Sequence, residues 1–379
     1  MVCAMSEPTT SRPKPRVAVV FGGRSSEHAV SCSTAASVLA AIDRDRYDVI
    51  PIGITQQGRW VLEADDTERF ALTADRLPAV DPGQSLVSLA GDPTARDLTL
   101  HEPGVLPKSL GEVDVVFPVL HGPYGEDGTF QGLLELADVP YVGSGVLASS
   151  VCMDKEFTKR VLSSLGLPVG PYVVIRDAAW RRDSEAELAR VRAELQLPVF
   201  VKPTRAGSSM GITRVTDWAR LAEAVAEARR HDPKVIVEQS LAPAREIECG
   251  VLEGPAGAEA SPPAEILVHG DHDFYDFQAK YLDGSTDLRV PAELDEATAA
   301  EIRRQAVEAF EALSCEGLAR VDFFLTAAGE LVINEINTMP GFTPYSMYPL
   351  MWQAAGVDYP TLVDRLIQAA LRRRIGPLR

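Results

Sequence analysis

The sequence predicts an α/β protein in three parts, an open α/β domain at the N-terminus followed by two α+β lobes. The ordered chain opens with an apolar strand that ends in two glycines (17–23), a segment with helical spacing of apolar residues (25–42) and a second strand (47–54). Strand, glycine turn, helix and strand form a βαβ unit, which is typical of an open α/β sheet. The length of 379 residues leaves room for further units, since a domain averages roughly 150 residues.

The first domain is predicted to span residues 16–149. Further strands are expected at 113–122 and 139–143, with a helix near 128–137 between them. Residues 61–112 are weakly periodic and rich in Pro, Gly and Asp. We therefore interpret them as a surface elaboration of the first domain.

The two lobes are predicted to span residues 150–236 and 237–379. The elements expected in the first lobe are a helix at 153–165, strands at 197–203 and 211–215, a helix at 218–230 and a strand at 235–239. Those expected in the second lobe are a strand pair around a loop at 253–263, an aromatic loop at 270–290, a helix at 294–313, a hairpin within 319–341 and a last helix at 360–374. No internal repeat or low-complexity tract interrupts this order.

The composition is that of an acidic globular protein. Lys plus Arg number 37 and Asp plus Glu number 54, so the formal net charge is −17. This balance argues against nucleic acid and against an anionic membrane surface as main partners, because both require a basic field. The chain lacks an apolar stretch of the roughly 18 residues that span a bilayer, and residues 1–15 are predicted to be a disordered tail. The five scattered cysteines predict reduced thiols and a cytoplasmic location.

The predicted hairpin carries the clearest chemical signal. Two apolar strands flank a short Ala-Ala-Gly turn. With a connection of four residues, 327–330, Asp322 lies opposite Glu335. Arg320 then lies opposite Asn337, and all four side chains project from one face. Two carboxylates and an amide oxygen beside a cation form a hard-oxygen site that suits Mg²⁺ or Mn²⁺. The alternative is an edge hairpin with a solvated polar face, and we favour the metal site because Asp322 interrupts an apolar strand.

A glycine-rich loop follows the predicted strand at 197–203. Its serines, Ser208 and Ser209, and its glycines can present backbone N–H groups to phosphate oxygens. Lys202 precedes the glycines and the loop leads into a strand, so the segment is not a P-loop. A β-loop-β flap over a triphosphate fits better, with Lys202 at its root. Taken alone, the loop favours the simpler interpretation of an ordinary hairpin.

Four other residues carry weaker signals when each is taken alone. Lys155 lies in the first turn of a helix, where a cation opposes the helix dipole unless an anion faces it. Glu27 follows the glycine turn in the crevice where open α/β sheets bind ligands, although an acidic residue is also favourable in a first helical turn. Lys280 lies in the aromatic loop, where a surface lysine is the ordinary explanation. His121 follows a strand, and the adjacent segment 122–126 is typical of a turn.

Seven blocks, taken together and in order, resemble the D-alanine–D-alanine ligases of the ATP-grasp superfamily. The blocks are VAVVFGGRSSEHAVS, FPVLHGPYGEDGTFQG, MDKEFTK, VKPTRAGSSMG, DFYDFQAKY, ARVDFF and NEINTMPGFTPYS. The resemblance covers nearly the whole chain from residue 16. It implies an ATP-grasp fold in which the two α+β lobes enclose the nucleotide and the loop 270–290 closes over the site.

The same resemblance implies a cytoplasmic enzyme that joins two D-alanines with ATP to supply the dipeptide for peptidoglycan. The γ-phosphate of ATP would pass to the carboxylate of one D-alanine, and the amine of a second would attack the acyl phosphate. The resemblance further implies Mg²⁺ or Mn²⁺, two ions per site, held by Asp322, Glu335 and Asn337. A homodimer is expected from the resemblance alone.

The resemblance also assigns the remaining site residues. Arg320 and the backbone N–H of Gly341 are expected to stabilise the oxyanion of the tetrahedral intermediate. The ATP-binding positions are Lys155, Lys202, Ser208, Ser209, Glu238, Glu246 and Lys280. The amino-acid positions are Glu27 at the ammonium of the first D-alanine, His121 near the same substrate and Ser346 at the carboxylate of the second. Ser208 and Tyr281 are expected to link with Glu27 and latch the aromatic loop over the site.

Three alternatives are weighed against this interpretation. A D-alanine–D-lactate ligase has the same fold and chemistry, but relatives that make the depsipeptide commonly depart from tyrosine at the position of Tyr281. A non-catalytic ATP-binding regulatory protein would have lost part of the metal set, yet all of its residues are present. An NAD-dependent oxidoreductase is supported only by the opening βαβ unit, and the chain lacks the glycine fingerprint of that class there.

Overall fold

The structure is a computed structural model that describes residues 14–70, 77–83, 85–207, 210–268 and 286–373. Four predicted site residues, Ser208, Ser209, Lys280 and Tyr281, lie outside these ranges, as does the predicted tail up to residue 13. The described part of the chain forms three sheets with helices packed against them. The predicted boundaries of the three domains stay predictions.

The first sheet is built around a βαβ unit, as the sequence predicts. Its seven strands in the described residues are β1 (Arg16–Gly22), β2 (Asp48–Ile54), β3 (Trp60–Leu62), β4 (Leu86–Leu89), β5 (Asp97–His101), β6 (Lys108–Glu112) and β7 (Val115–Pro118). Their order is β6-β5-β4-β3-β2-β1-β7. The central strand β1 is parallel to β2 and β7, and helix α1 (His28–Ala41) connects β1 to β2. The carboxyl end of β1 therefore opens on the start of α1, where Glu27 lies.

Two sequence predictions for this domain need correction. Residues 61–112 do more than decorate the surface, because strands β3 to β6 continue the sheet in antiparallel fashion. These strands are short and half-exposed, so they lack the apolar run that marks a buried strand. The strand predicted at 139–143 is wrong, since Tyr141 forms only an isolated bridge to Val116. The helix predicted near 128–137 is confirmed as α2 (Thr129–Leu136).

The second sheet is antiparallel and has the order β10-β9-β11-β8. Its strands are β8 (Tyr172–Ile175), β9 (Val199–Pro203), β10 (Thr213–Val215) and β11 (Val235–Gln239). The helices of this region are α3 (Val146–Met153), α4 (Lys155–Ser164), α5 (Asp177–Arg182), α6 (Ser184–Glu194) and α7 (Leu221–Ala228). Apolar side chains of α6 and α7 pack on the sheet and form its core. Strands β9 and β10 flank the glycine-rich loop, which confirms the predicted β-loop-β arrangement.

The helix predicted at 153–165 is confirmed as α4, although it begins at Lys155, because Asp154 separates it from the preceding helix α3. Helix α3 ends at Met153 and α4 begins at Lys155. The side chain of Asp154 accepts hydrogen bonds from the backbone N–H groups of Glu156 and Phe157, which is the geometry of an N-cap. This cap sets the direction of α4 and so places Lys155 at its first turn.

The third sheet carries the predicted hairpin. Its path is β15-β14-β12-β16-β17, with β13 paired on β12. The strands are β12 (Ala244–Gly254), β13 (Gly257–Ala260), β14 (Ala264–Val268), β15 (Thr286–Arg289), β16 (Leu318–Thr326) and β17 (Leu331–Asn337). The predicted loop at 253–263 therefore contains a strand, β13. Helix α8 (Glu296–Ala312) packs on this sheet through Ile302, Ala306 and Phe310.

The hairpin pairs the predicted residues, but its tip is shorter than predicted and a bulge restores the pairing. Asp322 pairs with Glu335, and Arg320 pairs with Asn337. Thr326 bonds to Glu330 across a three-residue tip that ends in Gly329 at φ 82°, so the connection is one residue shorter than predicted. A bulge then shifts the register, since Phe323 pairs with Ile333 and the next pair is Asp322 with Glu335.

The bulge determines which side chains face the site. Without it, the short tip would pair Asp322 with Asn334 and turn Glu335 and Asn337 to the opposite, apolar face. The extra residue, Asn334, restores the face that the four polar residues share.

The C-terminal helices join the third sheet to the first. Helices α9 (Met347–Ala354) and α10 (Tyr359–Arg372) contribute to one core with strands β1 and β7. Phe342 is fully buried at this junction, with its ring 6.1 Å from that of Phe117 and 5.6 Å from that of Tyr359. The segment 338–346 is thus anchored on the first domain immediately after the hairpin. None of the helices in the described part of the chain combines the length and apolar composition needed to cross a membrane.

A close backbone contact at the same junction makes a glycine necessary. Gly317 has φ 72°, and a β-carbon added there would lie 3.0 Å from the backbone nitrogen of Gly143. Gly329 at the hairpin tip has φ 82°, and no atom lies within 4 Å of an added β-carbon. The two glycines therefore share the conformation but differ in the space around them.

We expect Gly317→Ala to lower the free energy of unfolding more than Gly329→Ala does. Both substitutions put a side chain in the left-handed region, which costs about 1–2 kcal/mol. Only Gly317→Ala also pushes two backbone segments apart, so its loss should exceed that of Gly329→Ala by about 1–3 kcal/mol. Urea denaturation of both variants measures the difference. Equal losses would show that the backbone segments at residues 143 and 317 can move apart without lowering the free energy of unfolding.

Candidate active site

One large cavity gathers the predicted site residues. The twelve that fall in the described ranges all line a cavity of about 1040 Å³ between the three sheets: Glu27, His121, Lys155, Lys202, Glu238, Glu246, Arg320, Asp322, Glu335, Asn337, Gly341 and Ser346. They come from the start of α1, the loop after β7, the start of α4, strands β9, β11, β12, β16 and β17, and the segment 338–346. Residues distant in the sequence therefore share one cavity.

The polar face of the hairpin forms one wall. The guanidinium of Arg320 donates to both carboxylate oxygens of Asp322, from Nε and from Nη2, at 2.7 Å each. Asn337 Nδ2 donates to Asp322 Oδ2 at 3.0 Å. Arg320 Nε also lies 3.2 Å from Glu248 Oε2 on the neighbouring strand β12. Burial alone would lower the pKa of Arg320, but Asp322 and Glu248 raise it well above its ordinary value.

The donor set of this wall fits a divalent cation in chemistry. Asp322, Glu335 and Asn337 offer two carboxylates and one amide oxygen, which are hard ligands of the kind that Mg²⁺ and Mn²⁺ prefer. In the described part of the chain, no three His, Cys, Asp or Glu residues are already clustered as metal ligands. Asp322 instead faces Arg320, so a bound ion would have to compete with that guanidinium for the carboxylate.

Lysines form the wall that adjoins the hairpin. Lys155 Nζ donates to the carbonyl oxygen of Ala206 at 3.0 Å and lies 3.5 Å from Glu335 Oε2. The Nζ atoms of Lys202 and Lys159 each lie 2.7 Å from a different oxygen of Glu238. Burial opposes ionisation of Glu238, but the two lysines outweigh burial and hold its pKa well below the ordinary range. Glu238 is therefore an ionised hydrogen-bond acceptor at neutral pH.

Lys159 also lines the cavity but is not among the residues predicted from the sequence. Its side chain is only 3% exposed, and Nζ also lies 3.4 Å from the carbonyl oxygen of Asn334 at the bulge. A helical signal was available, because Lys159 follows Lys155 by four residues and so shares its face of α4. One buried lysine thus contacts both the carboxylate on β11 and the strand that carries Glu335.

Glu27 lies against two glycines on different segments. A β-carbon added at Gly122 would come 2.8 Å from Glu27 Oε2, and one added at Gly207 would come 2.9 Å from the same atom. The backbone N–H of Glu27 donates to Ser25 Oγ at 3.0 Å, and Ser25 in turn donates to the carbonyl of His121. The carboxylate is therefore held between the first domain and the base of the glycine-rich loop.

His121 is buried and neutral behind this carboxylate. Its Nδ1 lies 3.1 Å from the carbonyl oxygen of Met339, which requires a proton on that nitrogen. Its Nε2 lies 3.4 Å from Thr34 Oγ1. Burial lowers the pKa of His121, and the nearby charge of Glu27 only partly opposes that effect. The ring thus connects the first domain to the segment 338–346.

Ser346 and Gly341 come from that same segment. Ser346 precedes helix α9, and its Oγ accepts a hydrogen bond at 3.1 Å from the backbone N–H of Thr343. The start of a helix favours an anion, because backbone N–H groups and the positive end of the helix dipole point toward it. Gly341 presents backbone to the cavity one residue before the buried Phe342.

Glu126 is a second cavity residue that the sequence analysis did not identify. Its carboxylate accepts hydrogen bonds from the backbone N–H groups of Gly122, at 2.6 Å, and Met339, at 3.2 Å. Burial and the charge of Glu27 raise the pKa of Glu126 to about 8. The sequence signal was hidden because residues 122–126 also form the predicted turn, in which Glu126 N–H donates to the carbonyl of Gly122.

We expect the pKa of Glu126 to make folding pH-dependent. The folded protein holds this proton up to about pH 8, whereas an unfolded glutamate loses it near its ordinary pKa. The folded state therefore binds more protons, and stability should fall as the pH rises across that range. Glu126→Gln stays neutral, so its thermal midpoint should fall less over the same range, and the exposed Glu112→Gln is the control. Parallel curves for native protein and Glu126→Gln would contradict the raised pKa.

The chain matches two family descriptions over most of its length. Residues 16–144 match "D-ala D-ala ligase N-terminus", and residues 161–368 match "D-ala D-ala ligase C-terminus". Proteins named D-alanine--D-alanine ligase are 63% identical in Streptomyces avermitilis, with 96% of each chain covered, and 55% identical in Paenarthrobacter aurescens, with 99% of this chain and 100% of the other covered.

Solved structures agree in fold. The VanG D-Ala:D-Ser ligase from Enterococcus faecalis is 36% identical with a TM-score of 0.81, covering 94% of this chain and 100% of the other. The D-alanine-D-alanine ligase from Coxiella burnetii is 36% identical with a TM-score of 0.77, covering 94% of each chain. The predicted ATP-grasp fold and the predicted ligase activity are confirmed. With both family descriptions matched in order and relatives this similar over nearly the whole chain, the chain belongs to the D-alanine–D-alanine ligase family.

Proposed function

We propose that the cavity joins two D-alanines to D-alanyl-D-alanine, for peptidoglycan, with ATP as co-substrate and an acyl phosphate as intermediate. The observation that carries this proposal is the convergence of two walls in one cavity. One wall presents lysines, and the other presents carboxylates, an amide and an arginine. Phosphoryl transfer between anions requires such cations and oxygen ligands on both sides of the transferred group.

In this proposal the lysine wall binds the nucleotide. Lys155 and Lys202 contact phosphate oxygens, and Glu238 accepts hydrogen bonds from the adenine amino group. Its ionised state, maintained by Lys159 and Lys202, suits an acceptor. Glu246 lines the same cavity and is proposed for the ribose hydroxyls.

The hairpin wall is proposed to hold the divalent ions. Asp322, Glu335 and Asn337 would be the ligands, and we propose two ions, Mg²⁺ or Mn²⁺. Ions held there would supply positive charge against the negative charge that develops during phosphoryl transfer. Lys155, 3.5 Å from Glu335, adds a fixed positive charge at the same place.

The amino acids are proposed to bind on the side of the first domain. Glu27 accepts the ammonium of the first D-alanine, and neutral His121 keeps the adjoining backbone in position. Ser346, at the start of α9, holds the carboxylate of the second D-alanine. Arg320 and the N–H of Gly341 then stabilise the oxyanion that forms when the second amine attacks the acyl phosphate.

Four further assignments concern residues outside the described ranges. We propose Ser208, Ser209 and Lys280 for the triphosphate, and Ser208 with Tyr281 for a latch to Glu27. A homodimer in the cytoplasm completes the proposal. These assignments are supported by family membership alone.

The reaction and its acceptor are tested by product analysis. We expect phosphate release from Mg-ATP whenever D-alanine is present and none with L-alanine alone. With D-alanine in competition with D-serine or D-lactate at equal concentration, D-alanyl-D-alanine should be the main product by mass spectrometry. A mixed dipeptide or a depsipeptide as main product would keep the ligase chemistry and overturn the proposed acceptor.

Arg320 is expected to act on the chemical step. Arg320→Met should lower kcat about 10²–10³-fold, the usual effect of removing one oxyanion donor, and leave the KM for ATP within a few-fold. Arg245→Met is the matched control, because Arg245 also pairs through two hydrogen bonds with a buried carboxylate, Glu265, in the same sheet but does not line the cavity. A kcat that falls equally in both variants would point to structural damage rather than loss of catalysis.

A further inference from the structure

Arg320 faces two buried carboxylates, and only one of them is a proposed metal ligand. Asp322 on its own strand takes both hydrogen bonds of the guanidinium fork at 2.7 Å, and Glu248 on β12 lies 3.2 Å from Nε. Glu248 pairs directly with Asp322 across the sheet, and Asp322 pairs with Glu335 on the other side. Three carboxylates therefore stand in a row across β12, β16 and β17, with the guanidinium beside them.

This arrangement creates a competition at Asp322. A divalent ion that binds Asp322 brings two positive charges to a carboxylate whose oxygens already bond to the guanidinium. The two cations repel each other at this distance in a buried site. Arg320 therefore has to give up at least part of its fork when the ion binds. A buried arginine without a counterion is costly, so a second carboxylate must take over.

Glu248 is the group that can take over. Its side chain is buried and lines the cavity beside Arg320. It already contacts Nε, the nitrogen that also bonds to Asp322, so a small rotation of the guanidinium transfers the hydrogen bond from one carboxylate to the other. The backbone of strand β12 need not move for this exchange.

We propose that Glu248 is a positioning residue that retains Arg320 when a divalent ion takes Asp322. The inference rests on the proposed role of Asp322 as a metal ligand. Glu248 thereby has two effects. It frees Asp322 for the ion, and it keeps the guanidinium at the wall where the oxyanion forms.

Mn²⁺ binding to the full chain in the presence of ADP, measured by electron paramagnetic resonance without any amino acid, tests this exchange. We expect Glu248→Gln to weaken Mn²⁺ binding about tenfold, because Arg320 then stays on Asp322. Glu265→Gln is the matched control, since Glu265 is also a buried carboxylate paired with an arginine in this sheet, and its Mn²⁺ affinity should be unchanged.

A double variant separates this exchange from a general loss of negative charge. In the background of Arg320→Met there is no guanidinium to retain, so adding Glu248→Gln should change Mn²⁺ affinity less than about twofold. A tenfold loss in that background as well would overturn the inference and assign the effect to charge alone. An unchanged affinity in Glu248→Gln would also overturn it.

Two further variants keep the outcome unambiguous. Glu248→Asp retains the charge one methylene farther away and should weaken Mn²⁺ binding about threefold, so it serves if Glu248→Gln does not fold. Unchanged affinity in Glu248→Asp would then overturn the inference. Asp322→Asn should weaken binding strongly. If it does not, the proposed metal site fails together with the inference, whereas a loss confined to Asp322→Asn overturns only the role of Glu248.

Discussion

A row of carboxylates, two of them buried and the third half-buried, has to be neutralised, and most of the site follows from that requirement. Glu248, Asp322 and Glu335 lie side by side on three neighbouring strands. Arg320 meets the first two, and Lys155, carried by helix α4 next to the second sheet, meets the third. Charge pairing thus draws different parts of the chain against one cavity, although the protein as a whole carries a net charge of −17. The acidic balance of the chain and the cationic wall of the cavity are compatible because the cations are concentrated locally.

Packing keeps the backbone of the segment 338–346 in place. This segment leaves the hairpin, contributes Gly341 and Ser346 to the cavity, and buries Phe342 between the first sheet and the C-terminal helices. The carbonyl and N–H of Met339 are tied to His121 and Glu126 in the first domain. Backbone groups that line the cavity are therefore fixed from both sides, so the proposed oxyanion site would be pre-organised.

Alternation and block order predicted the parts of the site that lie along single strands. The pairing of Asp322 with Glu335 could be predicted because polar residues at alternate positions interrupt two apolar strands. Lys159, Glu126 and Glu248 could not be predicted in this way. Each acts through a contact between segments far apart in the sequence, and local spacing can show which face a side chain shares but not the distant partner that it meets. The strands between residues 61 and 112 were not predicted either, because the sequences of short half-exposed strands resemble those of surface loops.

The bulge at Asn334 has a consequence for how this hairpin tolerates changes in length. The tip sets one register and the paired polar residues need the other, and the extra residue reconciles them. Deleting Asn334 would leave Asp322 opposite Glu335 and would remove only the bulge. Deleting Ile336 instead would shift the pairing that follows by one residue and turn Asn337 into the apolar core. This hairpin can therefore lose a residue at the bulge without changing its polar face, but it cannot lose one from the regular pairing beyond the bulge.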